Sequence, residues 1–145
     1  MGKNIAFFNI YQIWGGGEKW HFEMALNLKA KGHNVYIFTP AKGEFARRAK
    51  EKGLEVKNIY WGKYSYFNPL KIFSLALSLR RLKIDALLYN SYLDVREAGI
   101  SAYLAGVKRK IFRIGMPVSP KRRIFNKLSF SLGVDVINFI SKDIY

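Results

Sequence analysis

Short apolar runs alternate along this chain with longer stretches in which apolar residues recur every three or four positions. The runs Asn4–Asn9, Val35–Thr39, Leu54–Tyr60, Ala86–Asn90, Lys110–Ile114 and Asp135–Ile140 read as strands. Glu18–Lys31 reads as a helix with Trp20, Met24, Ala25 and Leu28 as its apolar side. Gly43–Lys52 is a short basic helix built on Phe45, Ala46 and Ala49. Pro69 opens a third at its first turn, and that helix runs to Lys83 through Ile72, Phe73, Leu75, Ala76, Leu79 and Leu82. Asp94–Leu104 and Lys121–Leu132 complete the set, and Gly53, Gly106 and Gly133 stand where helices stop. Strand followed by helix, repeated, predicts a parallel sheet covered on both faces. The expected fold class is α/β: a Rossmann-like, doubly wound parallel sheet in a single domain over residues 1–145.

In such a sheet, ligands bind beyond the carboxyl ends of the strands. Three segments fall there: Ile10–Gly17, Tyr89–Tyr92 and Gly115–Ser119. The first carries Gly15-Gly16-Gly17 immediately before a helix, where backbone N–H groups can approach a ligand and the helix N-terminus attracts negative charge. Phosphate is the natural guest of such a loop, although three glycines also serve simply to make the turn. The spacing departs from the dinucleotide fingerprint and from the P-loop, since neither a third-position glycine nor a Gly-Lys-Ser/Thr follows. Beside the glycines, the candidates for chemistry are Asn90, Ser91, Tyr92, Asp94, Lys121 and Arg122. His33 follows Gly32 at a helix end and reads as a turn residue, and the other histidine, His21, lies in the first helix, so no general base stands out.

Charge narrows the partners. The chain carries 25 Lys and Arg against 10 Asp and Glu, a net of +15, which draws polyanions: nucleic acid, anionic lipid headgroups or acidic glycans. Lys121, Arg122, Arg123 and Lys127 cluster on one helix, and Lys71, Arg80, Arg81 and Lys83 on another. The stretch 61–68 adds Trp61, Tyr64, Tyr66 and Phe67, a loop that either packs down or faces a cleft or membrane. Half of the residues are hydrophobic, enough for a core. The chain contains no cysteine, hence no disulfide framework or thiolate metal site. No apolar run reaches the ~20 residues that span a bilayer, and no secretory signal is expected at the start.

Gly15-Gly16-Gly17-Glu18-Lys19, a helix, then Gly32-His33-Asn34-Val35 and Thr39-Pro40 resembles the opening of GT-B glycosyltransferases of family 4. Ile84-Asp85-Ala86-Leu87-Leu88-Tyr89-Asn90-Ser91, Leu104-Ala105-Gly106-Val107 and Val136-Ile137-Asn138-Phe139-Ile140-Ser141 resemble later segments of that family's N-terminal domain. The order and spacing span the chain.

The resemblance implies one half of a GT-B fold, a metal-independent enzyme moving a sugar from a nucleotide-sugar donor to a lipid-linked or cell-surface polysaccharide acceptor. Gly15, Gly16 and Gly17 would contact the donor diphosphate, with Gly16 the closest match to the family position, and Asn90, Ser91, Tyr92, Lys121 and Arg122 would line the acceptor cleft. No separate cofactor is expected, since the nucleotide sugar is a substrate. The nucleotide and a Glu-x7-Glu element belong to a C-terminal domain, so this chain is expected to be the N-terminal half and inactive in isolation. Lys71, Arg80, Arg81, Arg123 and Lys127 would face an anionic membrane, placing the protein at the inner face of the cytoplasmic membrane. The family's histidine after the fifth strand falls at Gly115, and the one at the end of the fourth strand is replaced by Asn90, which leaves the catalytic base unassigned. Two alternatives stand beside this. One is a non-catalytic basic α/β module binding nucleic acid or another polyanion, against which no helix-turn-helix, zinc or RNP-type motif is visible. The other is a relative that kept the fold and lost the chemistry.

Overall fold

The computed structural model describes residues 2–59, 68–114 and 124–139, with backbone alone for Tyr92, Ile114, 124–126 and 136–139. Six strands and five helices alternate: β1 (Asn4–Phe8), α1 (Gly16–Ala30), β2 (Asn34–Thr39), α2 (Glu44–Glu51), β3 (Glu55–Asn58), α3 (Pro69–Arg81), β4 (Ala86–Tyr89), α4 (Tyr92–Ala105), β5 (Arg109–Ile114), α5 (Ile124–Gly133) and β6 (Val136–Phe139). All strand pairs are parallel, in the order β3-β2-β1-β4-β5-β6. This is the doubly wound arrangement expected from the alternation.

The period of two along each strand decides which helices cover which face. Ile5, Phe7, Val35, Ile37 and Leu88 point to one side and pack with Ala25 of α1 and Phe45 and Ala49 of α2. Ala6, Phe8, Phe38, Leu87 and Tyr89 point to the other and pack with Leu75 and Leu79 of α3 and Val95, Ala98 and Ala102 of α4. Burial on both faces explains why these strands read as continuous apolar runs instead of alternating ones.

Three details differ from the sequence reading. The fully buried side of α1 is Glu18, His21 and Ala25, while Trp20, Met24 and Leu28 are half-buried at its flanks. Phe73 of α3, expected in the core, is 60 % exposed, in line with Leu70 and Leu77. Helix α4 begins at Tyr92, two residues early, because Ser91 caps it: the Ser91 hydroxyl accepts the Asp94 N–H (3.3 Å), and the Asp94 carboxylate accepts the Ser91 N–H (2.8 Å). The glycine stops also divide. Gly53 and Gly106 adopt left-handed φ of +76° and +74°, as helix stops do. Gly133 belongs to α5 and has another purpose: a Cβ there would lie 2.3 Å from the Gly99 Cα, so the two glycines let α5 and α4 touch backbone to backbone. Gly133→Ala is expected to destabilise the domain by about 1–3 kcal/mol, because backbone must shift to admit the methyl group. Urea unfolding of the variant against the parent checks this, and an unchanged midpoint would show that the two helices part freely.

Candidate functional site

The sheet reverses its winding between β1 and β4, so the crevice opens between the loop leaving β1 and the turn leaving β4. Two carboxylates tie these segments together. Glu18, in the first turn of α1 and 6 % exposed, accepts from the side-chain amides of Asn9 (3.2 Å) and Asn90 (3.0 Å) with Oε1, and from the Gly15 N–H (3.0 Å) with Oε2. Asp94, in the first turn of α4 and fully buried, accepts the N–H groups of Ile10 (2.8 Å), Ser91 (2.8 Å) and Asn90 (3.1 Å). Each helix thus reaches across to the strand end that feeds the other. Burial pushes the Asp94 carboxyl up to about 7, against the pull of those N–H donors.

The three glycines of the loop have three different surroundings. A Cβ on Gly17 would lie 2.2 Å from the Asn90 Oδ1, so Gly17 exists to admit the Asn90–Glu18 hydrogen bond. Gly15 is the N-cap of α1, and its N–H is held by Glu18. At Gly16 a Cβ would meet nothing within 4 Å. Gly16 is the first helical residue, where an N–H has no acceptor within its own helix. Of the three, this is the one open to a ligand. The loop itself is anchored by Trp14, whose ring meets Phe22 at 5.8 Å and Phe45 at 6.3 Å and lies 4.4 Å beneath the Arg48 guanidinium.

Beneath the loop, His21 is fully buried, edge-on to Phe7 at 4.9 Å, and neither ring nitrogen has a well-formed hydrogen bond. Burial first, then the positive charge of Arg113, lowers its pKa to about 3. His21 is a neutral packing residue at ordinary pH and no general base. His33 stands in its turn, its Nδ1 accepting the Lys3 N–H at 3.0 Å.

Of the residues singled out from sequence, the structure brings together Gly15, Gly16, Gly17, Asn90, Ser91 and Asp94. Ser91 and Asp94 are engaged in capping and loop-holding, and Asn90 in holding Glu18. Tyr92 starts α4, its side chain outside the described residues. Gly115, Lys121, Arg122 and Arg123, and the aromatic loop from Trp61 to Phe67, lie outside the described residues. Arg80, Arg81 and Lys127 are exposed on α3 and α5, and Lys71 lines a separate groove of about 560 Å³ between α3 and β3, with Lys57, Ser74 and Arg81. Among the described residues, no three His, Asp or Glu come together to hold a metal. Sequence reasoning placed Glu18 in the glycine motif but gave no site role to it, to Asn9 or to Arg113. The Ser91–Asp94 capping spacing was readable; the burial of Glu18 in an amphipathic helix was not.

The His21 burial sets a pH dependence. Its folded pKa, about 3, lies below the ordinary 6.5, so between those values the unfolded chain holds a proton that the folded chain refuses. Stability is therefore complete above pH 6.5 and falls as the pH drops toward 3, by up to about 1.4 kcal/mol per pH unit from this residue. His21→Leu should flatten the difference: urea unfolding near neutral pH and at about pH 5 should show the parent losing more than the variant. Equal losses would mean that His21 is protonated in the fold.

The family model described as Glycosyltransferase Family 4 matches residues 14–138. MurG of Acinetobacter baumannii superposes with a TM-score of 0.71 at 19 % identity, covering 99 % of this chain and 42 % of MurG. HepE of Anabaena, solved with UDP and glucose, gives 0.69 at 15 % identity, covering 93 % of this chain and 37 % of HepE. WaaB, a lipopolysaccharide outer core galactosyltransferase solved in its apo form, gives 0.69 at 15 %, covering 97 % and 40 %. At these identities the likeness is one of fold, and the chain spans about two fifths of each relative's length. No curated protein matches. With the family model matched over residues 14–138 of 145, this chain belongs to Glycosyltransferase Family 4.

Proposed function

We propose that this domain is the acceptor-binding half of an enzyme that moves a sugar from a nucleotide-sugar donor to a lipid-linked or cell-surface polysaccharide acceptor. The observation that carries the reading is Gly16: an unobstructed first helical residue at the reversal point of the sheet. Its N–H and the positive end of α1 would receive the donor diphosphate, and a second domain would hold the nucleotide. HepE, similar in fold, was solved with UDP and glucose. The polyanion-binding alternative rests on the net charge of +15 and the abundance of Tyr and Phe. Ligand-observed NMR with a panel of nucleoside-diphosphate sugars tests the reading. Diphosphate-bearing donors should bind, and Gly16→Val should weaken them by about tenfold by filling the open space. Binding that is indifferent to Gly16→Val overturns it.

The acceptor side of the proposal places the protein at the inner face of the cytoplasmic membrane. No helix among the described residues is long and apolar enough to cross a membrane. Helix α3 instead exposes Leu70 (80 %), Phe73 (60 %) and Leu77 (52 %) at helical spacing, leading to exposed Arg80 and Arg81. Each such apolar side chain gains about 1.5–3 kcal/mol on full burial, and each basic residue near anionic lipid about 1 kcal/mol. The chain should cosediment with phosphatidylglycerol-containing vesicles. Phe73→Ser with Leu77→Ser, and separately Arg80→Glu with Arg81→Glu, should each weaken binding at least about tenfold. A parent that stays in solution removes the docking surface and leaves the donor reading standing.

A further inference from the structure

Arg113 occupies an unusual position for a cation. Phe112 pairs with Tyr89, so Arg113 stands level with Asn90 at the carboxyl end of the sheet. The alternation of β5 sends Ile111 to the α1 side and Phe112 to the other, which returns Arg113 to α1. There its guanidinium lies 4.5 Å from the centre of the Trp20 ring. Trp20 is one helical turn from Gly16 on the same face of α1. Arg113 is 8 % exposed, and its Nε has no hydrogen-bond partner.

A buried arginine with a structural role closes on a carboxylate or on carbonyls, because an unpaired guanidinium away from water is costly. Here the nearest acid is taken. Burial works against the arginine cation and lowers its pKa, and the nearby charge of Glu18 only partly offsets this; the Glu18 oxygens are held by Asn9, Asn90 and Gly15, and no ion pair joins the two among the described residues. The guanidinium sits over the Trp20 ring, and its Nε has no partner. Its platform, Trp20, is one helical turn from Gly16, the open first residue of α1. Helix end and guanidinium both favour an anion, and a guanidinium matches the geometry of phosphate with paired N–H groups.

We propose that Arg113 is an anion-binding residue of the crevice, its guanidinium taking a phosphate of the donor diphosphate beside Gly16. The identity of the ligand rests on the donor reading above; the need for an anion rests on Arg113 itself.

Inorganic pyrophosphate is the probe. Its addition to the full chain should change tryptophan emission saturably, because the guanidinium lies on the Trp20 ring. Trp20→Phe should remove most of that signal while calorimetry still detects binding. Arg113→Gln should weaken pyrophosphate at least about tenfold, and Arg113→Lys less, since it keeps the charge and loses the fork. Circular dichroism checks the fold, and the lysine variant decides the matter if the glutamine variant does not fold. Unchanged affinity in a folded Arg113→Gln overturns the proposal, as does a parent that binds no pyrophosphate. Loss on Gly16→Val with Arg113→Gln unaffected would keep the glycine reading and remove Arg113 from it. The reverse pattern would keep Arg113 and remove the glycine reading. Glucuronate is the control: if it competes as well as pyrophosphate through Arg113, the diphosphate identity is overturned.

Discussion

Everything at the crevice depends on two buried carboxylates that each cross from one βα unit to the other. Glu18 leaves α1 and holds Asn90 after β4, and Asp94 leaves α4 and holds Ile10 after β1. At the reversal point of a doubly wound sheet the two loops diverge, and nothing in the ladder of the sheet fixes their separation. The carboxylates supply that constraint with charge-assisted hydrogen bonds in a poorly solvated place, where each bond is strong and each missing partner costly. Losing Asn90's amide would leave Glu18 with fewer partners in a setting that is 6 % exposed, and such a group is expensive to strand.

The same constraint explains the glycine cluster. Only after Asn90 has been drawn against α1 does a side chain at position 17 become impossible. The cluster therefore serves two ends: Gly17 makes room for protein, and Gly16 leaves room for something else. A glycine-rich turn read from sequence cannot separate these uses, because the partner that excludes the Cβ comes from 73 positions away (from Gly17 to Asn90).

Architecture was legible for a simple reason. Fully buried parallel strands are short apolar runs, the helices between them carry their own stops, and both signals are local. The limits of β1, β2 and β4 agree with the expectation to within a residue. Burial by face was harder. Trp20 and Phe73 are apolar and periodic, yet Trp20 is a half-buried platform for Arg113 and Phe73 faces outward, while a glutamate and a histidine occupy the inner side of α1. Periodicity finds a helix; it does not find a polar group whose hydrogen-bond partners arrive from other strands. The capping spacing of Ser91 and Asp94 was local and readable, and it accounts for two residues that otherwise look like candidates for chemistry.

The charge of +15 gains meaning when divided by burial. Most of the basic residues are exposed, where salt screens them and individual pairs contribute little. Arg113 is different, because it acts where the dielectric is low and no counter-charge has closed on it. Its charge adds to burial in opposing a proton at His21. A buried cation over a ring one helical turn from an open helix start favours negative charge there, and that shared preference is the electrostatic ground of the proposed phosphate contact.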